Sequence, residues 1–152
     1  MRRNDKEIAD DSAVWAVVAQ SQVCRLAMVD EDSPYVVPLC FGIAGNVLYF
    51  HGAARGRKID LIRKNPNVCV EFDRLFGPIP AEGACDWSMK YQSVIGFGRA
   101  ALIEDPNEKR TALELITARY AEGGFSYPES RIKATAVIKV QIEKVTGKQS
   151  GF

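Results

Sequence analysis

A chain of 152 residues, 47% of them hydrophobic, amounts to one domain, 1–152, able to bury a core without a metal or disulfide staple. Twenty Lys and Arg stand against 19 Asp and Glu, a net charge of +1. That excludes the strongly basic balance of a nucleic-acid-binding domain and shifts the weight to local clusters.

In chain order, Asp5, Glu7, Asp10 and Asp11 interrupt the stretch where a signal peptide would need apolar residues. No segment reaches the roughly 18 apolar residues of a membrane span. The expectation is a cytoplasmic protein with neither membrane nor nucleic acid as partner. Asp11-Ser12 predicts the cap of a short helix whose apolar face is Val14, Trp15, Val17 and Val18. Strands are expected over Val23–Val29 and Tyr35–Phe41, separated by the turn-rich Asp30–Pro34. Pro38, which has no amide proton to give to a ladder, marks the second strand as an edge or a bulge. Gly45-Asn46 then signals a hairpin into Val47–His51.

Ile59, Leu61 and Ile62 give the next segment a helical face, and Asn65-Pro66 stops it. Val68, Val70 and Phe72 alternate with Cys69, Glu71 and Asp73, as in a half-buried strand. Arg74–Asp86, with Gly77, Pro78, Pro80 and Gly83, reads as a loop. Gln92–Ile103 reads as a long strand in which Gly96 and Gly98 mark a bend or a close approach to the backbone. Asp105-Pro106-Asn107-Glu108 opens the clearest helix, with Ala112, Leu113, Ile116 and Tyr120 as its buried stripe and Gly123-Gly124 as its stop. Ala134–Ile142 alternates as a last strand. About six strands and three helices with hairpin links predict a mainly β, antiparallel, barrel-like fold with peripheral helices.

The four cysteines, Cys24, Cys40, Cys69 and Cys85, are widely spaced, without a Cys-x-x-Cys pair, and the chain has one histidine. That spacing gives no zinc-ligand pattern, and no metal site is expected. Cys40 and Cys69 lie in apolar runs as small core residues would.

The most distinctive stretch is Tyr49-Phe-His-Gly-Ala-Ala-Arg-Gly-Arg-Lys58, where a strand breaks at Gly52 and a basic helix begins at Arg57. A phosphate group needs hydrogen-bond donors and positive charge at close range, which a helix start with Arg or Lys supplies. Gly52 lets the backbone turn tightly. Lys58 is the first candidate ligand and Arg57 or Arg55 the second; the alternative is a solvated helix start with ordinary surface cations.

The order of these motifs resembles the pyridoxamine 5'-phosphate oxidase-like flavin-binding proteins, most closely their nitroimidazole-resistance (Nim-type) branch. The resemblance runs from Arg2 to Lys148 and is carried by RLAMVDEDSPYVVPLCFG, LYFHGAARGRKIDLIRKNPNVCVEFD, CDWSMKYQSVIGFGRAALIEDPNEKRTAL and TGK. It implies a split β-barrel of the antiparallel, Greek-key, FMN-binding type, and a homodimer with FMN at each end of the subunit interface. It implies that Pro38, Leu39 and Cys40 face the polar edge of the flavin ring. Phe50, His51, Gly52, Arg57 and Lys58 then surround the phosphate turn, and Ser93 and Val94 form the opposite wall. Trp87 and Tyr91 pack over the ring, across the dimer, or in the core.

The activity implied is that of an FMN-dependent oxidoreductase taking electrons from a reduced nicotinamide, NAD(P)H, to a small electrophile such as a nitroaromatic. A non-catalytic flavin or haem carrier or sensor is the alternative. His51 is the candidate catalytic residue, because imidazole handles protons near neutral pH. It reads equally as a packed strand-end residue, and haem ligation is a third reading. Oxidation of pyridoxamine phosphate itself is disfavoured, because Thr146–Phe152 holds none of the histidine-containing basic stretch that such enzymes share.

Overall fold

The computed structural model describes residues 4–152; Arg2, where the resemblance begins, lies outside them. A 3-10 turn at Asn4–Lys6 leads into β1 (Glu7–Ile8), α1 (Asp11–Gln20), β2 (Cys24–Asp30), β3 (Ser33–Leu39), β4 (Gly42–Ala44) and β5 (Val47–Ala53). Then come α2 (Arg57–Lys64), β6 (Asn67–Ile79), β7 (Ser88–Ile103), α3 (Pro106–Thr117), α4 (Glu129–Ala134) and β8 (Thr135–Ser150).

The strands pair antiparallel in the order β3-β2-β6-β7-β8-β5-β4, with β1 added to β8. The sheet curls around one core but leaves β3 and β4 as unjoined edges, so the barrel is split. Edge placement explains Pro38, which β3 holds opposite Arg25 without needing an outward amide proton. The inward row Val37, Leu26, Val70, Gly96, Val145 crosses five strands in register. Core aromatics Phe41, Phe50 and Phe72 are fully buried, and Phe41 meets Phe72 edge-on with ring centres 5.0 Å apart. α1 packs Val14, Val17 and Val18 into the same core.

Both strand glycines mark close approaches. A Cβ on Gly96 would stand 2.9 Å from Val70 Cγ2, and one on Gly98 only 2.1 Å from the Gln141 carbonyl oxygen. Gly98 sits where the β7–β8 register slips by one residue, a β-bulge that presses the β8 backbone against it.

Several boundaries differ from those expected. The cap of α1 is Asp10, whose carboxylate accepts the Ala13 amide at 2.8 Å, one residue before Asp11. The β2–β3 connection shrinks to Glu31-Asp32, because Asp30 and Ser33 already pair. The first part of the expected loop Arg74–Asp86, Arg74–Ile79, is strand. β6 continues to Ile79, after a register shift between Leu75 and Gly77, and only residues 80–87 connect it to β7. α3 ends at Thr117, well short of Gly123-Gly124, and Tyr120 is exposed instead of buried. The chain continues as a turn, the Arg119 and Tyr120 amides bonding the Ile116 and Thr117 carbonyls at 3.3 and 3.0 Å. Arg119 donates to the Ser21 carbonyl at 2.6 Å, while the Tyr120 hydroxyl donates to Gln22 O at 2.8 Å and accepts the Phe41 amide at 3.1 Å. β1, β4 and α4 add to the expected elements, and β8 runs to Ser150.

Candidate functional site

The start of α2 faces the inner side of β3 across a cavity of about 360 Å3, lined by Tyr35, Val37, Pro38, Leu39, Ala53, Arg55 and the first residues of α2. The strand does not break at Gly52, which still pairs with Ala136; β5 runs to Ala53, and the turn into α2 is made at Gly56, whose φ of 134° lies in the region that favours glycine. Gly56 caps α2 without a side chain; its carbonyl accepts the amides of Ile59 and Asp60 at 2.9 and 3.2 Å. The amides of Arg57 and Lys58 have no preceding helical carbonyl to bond, so they point out of the helix start as donors. Ile59, Leu61 and Ile62 bury the opposite face of α2, which turns Arg57 and Lys58 away from the core.

The three cations of this turn differ. Arg57 is committed: its Nε and Nη2 donate to Asp30 Oδ2 at 3.0 and 2.7 Å, and its guanidinium lies 4.6 Å from the centre of the Tyr35 ring. Arg55 is exposed on the cavity rim. Lys58 is half-buried, with no carboxylate in reach among the described residues, and its partial burial lowers its pKa from the ordinary lysine value. A Cβ on Gly52 would stand 2.9 Å from Lys58 Nζ, so the ammonium lies in the space that Gly52 leaves open.

His51 precedes Gly52 on β5, opposite Val137 of β8; it is exposed and is not among the residues that line the cavity. Partial desolvation, and secondarily the charge of Lys58, hold its pKa below 6.5. At neutral pH the imidazole is therefore uncharged, able to accept a proton but poor at donating one.

Among the other candidate residues, Pro38, Leu39, Arg57 and Lys58 line the cavity. Phe50 and Val94 are closed in the core, at 0% and 1% exposure, so only their backbone can face a ligand. Cys40 is exposed just beyond β3. Ser93 lies on β7 between Asp73 and Lys148, on the outer face of the sheet, away from this cavity. Trp87 is exposed at the β6–β7 connection, its indole N–H donating to the Ala81 carbonyl at 2.9 Å.

That outer face carries the row Val36, Ala27, Cys69, Phe97, Lys144, with Val36 53% and Phe97 52% exposed. Beside it runs Pro38, Arg25, Glu71, Ile95, Thr146, in which Arg25 pairs with Glu71 at 3.0 Å and with Asp73. Sequence reasoning missed Asp30 and Tyr35 as neighbours of the phosphate turn. Their approach to Arg57 is a product of the fold, with no local pattern that announces it.

Residues 10–149 match the family described as pyridoxamine 5'-phosphate oxidase. The chain belongs to that family. A candidate 5-nitroimidazole antibiotic resistance protein of Bacteroides thetaiotaomicron is 34% identical, with 93% of this chain and 85% of that one covered and a TM-score of 0.83. The flavocytochrome Anf3 of Azotobacter vinelandii aligns over 100% of this chain and 72% of its own, at 24% identity and a TM-score of 0.89. An FAD- and haem-binding protein of Mycobacterium smegmatis covers 97% and 74% of the two chains, at 21% identity and a TM-score of 0.88. These two establish the shared split-barrel fold. An uncharacterized protein of Rhizobium meliloti is 42% identical over 55 residues, and that match spans 36% of either chain. No described helix is long and apolar enough to cross a membrane.

Proposed function

We propose that this member of the pyridoxamine 5'-phosphate oxidase family binds a flavin nucleotide, FMN being the smallest that suffices, with its phosphate at the start of α2. The observation that carries the reading is Lys58: a half-buried ammonium without a carboxylate partner, beside outward amide donors, at a cavity. The donor set fits a phosphate, and the apolar Val37, Leu39 and Ile59 of the same cavity fit an uncharged ring or chain. The Nim-type and flavin-binding relatives support the same assignment.

Bound flavin would supply hydride and electron transfer; the chain supplies binding, orientation and exclusion of water. Lys58 and the α2 amides hold the phosphate, Leu39 and Pro38 limit where the ring lies, and His51 on neighbouring β5, exposed and outside the cavity lining, is the candidate proton acceptor. Electrons would come from a reduced nicotinamide and pass to a small electrophile, with a nitroaromatic as the first candidate. A second copy of the chain would cover the outer face around Val36 and Phe97. That arrangement also accounts for Ser93, which in one chain lies apart from the cavity but in a homodimer can wall a partner's site.

Absorption spectroscopy of purified protein tests this reading. Expected are flavin bands that bleach with NADH or NADPH and return with a nitroaromatic acceptor. A Soret band would assign haem instead, and flavin bands that no nicotinamide bleaches would leave a carrier or sensor. Protein that gains no flavin on incubation with FMN or FAD overturns the proposal.

A further inference from the structure

We propose that Asp30 is a positioning residue for the ligand phosphate, acting through Arg57; the inference rests on the phosphate reading above. Arg57 uses Nε and Nη2 on the same carboxylate oxygen, Asp30 Oδ2, at 3.0 and 2.7 Å. Two of the three nitrogens of the fork are thereby fixed, and Nη1 is the one left for another acceptor. The Tyr35 ring, 4.6 Å from the guanidinium carbon, holds the plane of the fork from its face. Tyr35, Arg57 and Lys58 all line the same cavity, so in this proposal the free arm of the fork serves the phosphate that Lys58 and the α2 amides also meet. A planar guanidinium locked by a carboxylate and an aromatic face is the pre-organised form in which arginine recognises phosphate.

The β2–β3 turn that carries Asp30 is also tied to the far end of α2, where Lys64 Nζ lies 3.4 Å from Glu31 Oε1. That pair is highly exposed, at 61% and 80%, and contributes little on its own. It offers a control in the same turn.

Electrostatics alone predicts the opposite sign. A carboxylate near a phosphate repels it, so if Asp30 only neutralised Arg57, removing its charge would tighten binding. If Asp30 positions the fork, removing it lets Arg57 wander and weakens binding.

The test is flavin affinity by fluorescence quenching for FMN and riboflavin, in the wild type, Asp30→Asn, Arg57→Ala, the double variant and Glu31→Gln. We expect Asp30→Asn to weaken FMN about fivefold to tenfold and the double variant to bind FMN no worse than Arg57→Ala. Riboflavin affinity should stay within about twofold throughout, which also shows that each variant folds, and Glu31→Gln should match the wild type. Unchanged or tighter FMN binding in Asp30→Asn overturns the proposal. So do losses that multiply in the double variant, or a parallel loss of riboflavin, which would make Asp30 a wall residue. A wild type that binds FMN no better than riboflavin overturns the phosphate reading itself, and Asp30's role with it.

Discussion

Gly52 and Lys58 share one space: the ammonium of Lys58 lies 2.9 Å from where a side chain on Gly52 would begin. Gly52→Ala would force the lysine tip outward, a cheap movement for a flexible side chain. Folding stability should change little, by under about 1 kcal/mol, because the clash is with a side-chain end and not with backbone. FMN affinity should fall while riboflavin affinity holds, measured by fluorescence quenching. Equal affinities for FMN before and after the substitution would place Lys58 away from the phosphate.

Lys58→Ala isolates the same cation. A charge-assisted hydrogen bond contributes roughly 1.5–3 kcal/mol, so FMN affinity should drop about tenfold to a hundredfold. Riboflavin, which lacks the phosphate, should bind nearly as before. The two dissociation constants, measured side by side, decide the matter, and a common loss removes Lys58 from the proposed role.

His51 carries a pH prediction. Its pKa is held below 6.5 by partial desolvation and by Lys58. The unfolded chain therefore binds the proton more readily, so stability contributed at this position is intact above about pH 6.5 and falls as pH drops through the folded-state value. Chemical denaturation across pH 5–8 should show this acid-side loss in the wild type and a flatter profile in His51→Gln. Stopped-flow reduction of bound flavin by a nicotinamide should carry an inflection below about pH 6.5 that His51→Ala abolishes, with a modest loss of flavin affinity. Unchanged rates with a lower melting temperature would make His51 a packed strand-end residue.

Much of this region was legible from local chemistry, and the reasons it was or was not are physical. Gly56, Arg57 and the Ile59, Leu61, Ile62 spacing announced a basic helix start, because capping and periodicity are short-range. Asp105-Pro106 likewise announced α3. The β6–β7 arm was hidden behind Gly77, Pro78 and Pro80, which usually punctuate loops. Along that arm β6 pairs only with β7, so Pro78 opposite Met89 leaves no second ladder short of a donor. The end of α3 is not written locally: the Arg119 and Tyr120 amides still turn back on Ile116 and Thr117, while their side chains bond carbonyls near residue 20. The Asp30–Arg57 contact is of the same kind, joining residues 27 positions apart through the closure of the sheet.

The bulge at Gly98 gives a stability prediction. A methyl there would meet the Gln141 carbonyl oxygen at 2.1 Å, and backbone on both sides cannot step aside. Gly98→Ala should cost upwards of about 3 kcal/mol in urea denaturation or prevent soluble expression. Gly124→Ala, with nothing within 4 Å of the added atom, should lie within about 0.5 kcal/mol of the wild type. A tolerated Gly98→Ala would mean that β7 and β8 are not pressed together at this point.

The exposed row through Val36 and Phe97 predicts the oligomeric state. Phe97→Glu would replace an exposed ring among Val36 and Ile95 with a charge, which an interface between copies would bury at a cost of several kcal/mol. Light scattering should give a dimer for the wild type and a monomer for the variant, with weaker flavin retention in the monomer. A monomeric wild type, with or without flavin, would leave Ser93 outside the site.

β8 joins what would otherwise be two separate pieces of sheet. Before Thr135 has been synthesised, β3, β2, β6 and β7 can form one ladder and β4 with β5 a hairpin, but no hydrogen-bonded strand connects them. β1 must wait as well, since Glu7 pairs with Lys148 and Ile8 with Gly147. A nascent chain therefore carries an unfilled edge on β5 from Ala53 onward and a second on β7 from Ile103 onward until β8 is made, and both are templates for pairing with other chains. The closures of β8 onto β5 and β1 join Ala53 to Thr135 and Glu7 to Lys148, a large fraction of the sequence, which makes the last step of folding slow compared with the hairpins that precede it. Destabilising changes in β8 should for this reason act first on yield, through aggregation of the waiting chain, and only second on the finished protein.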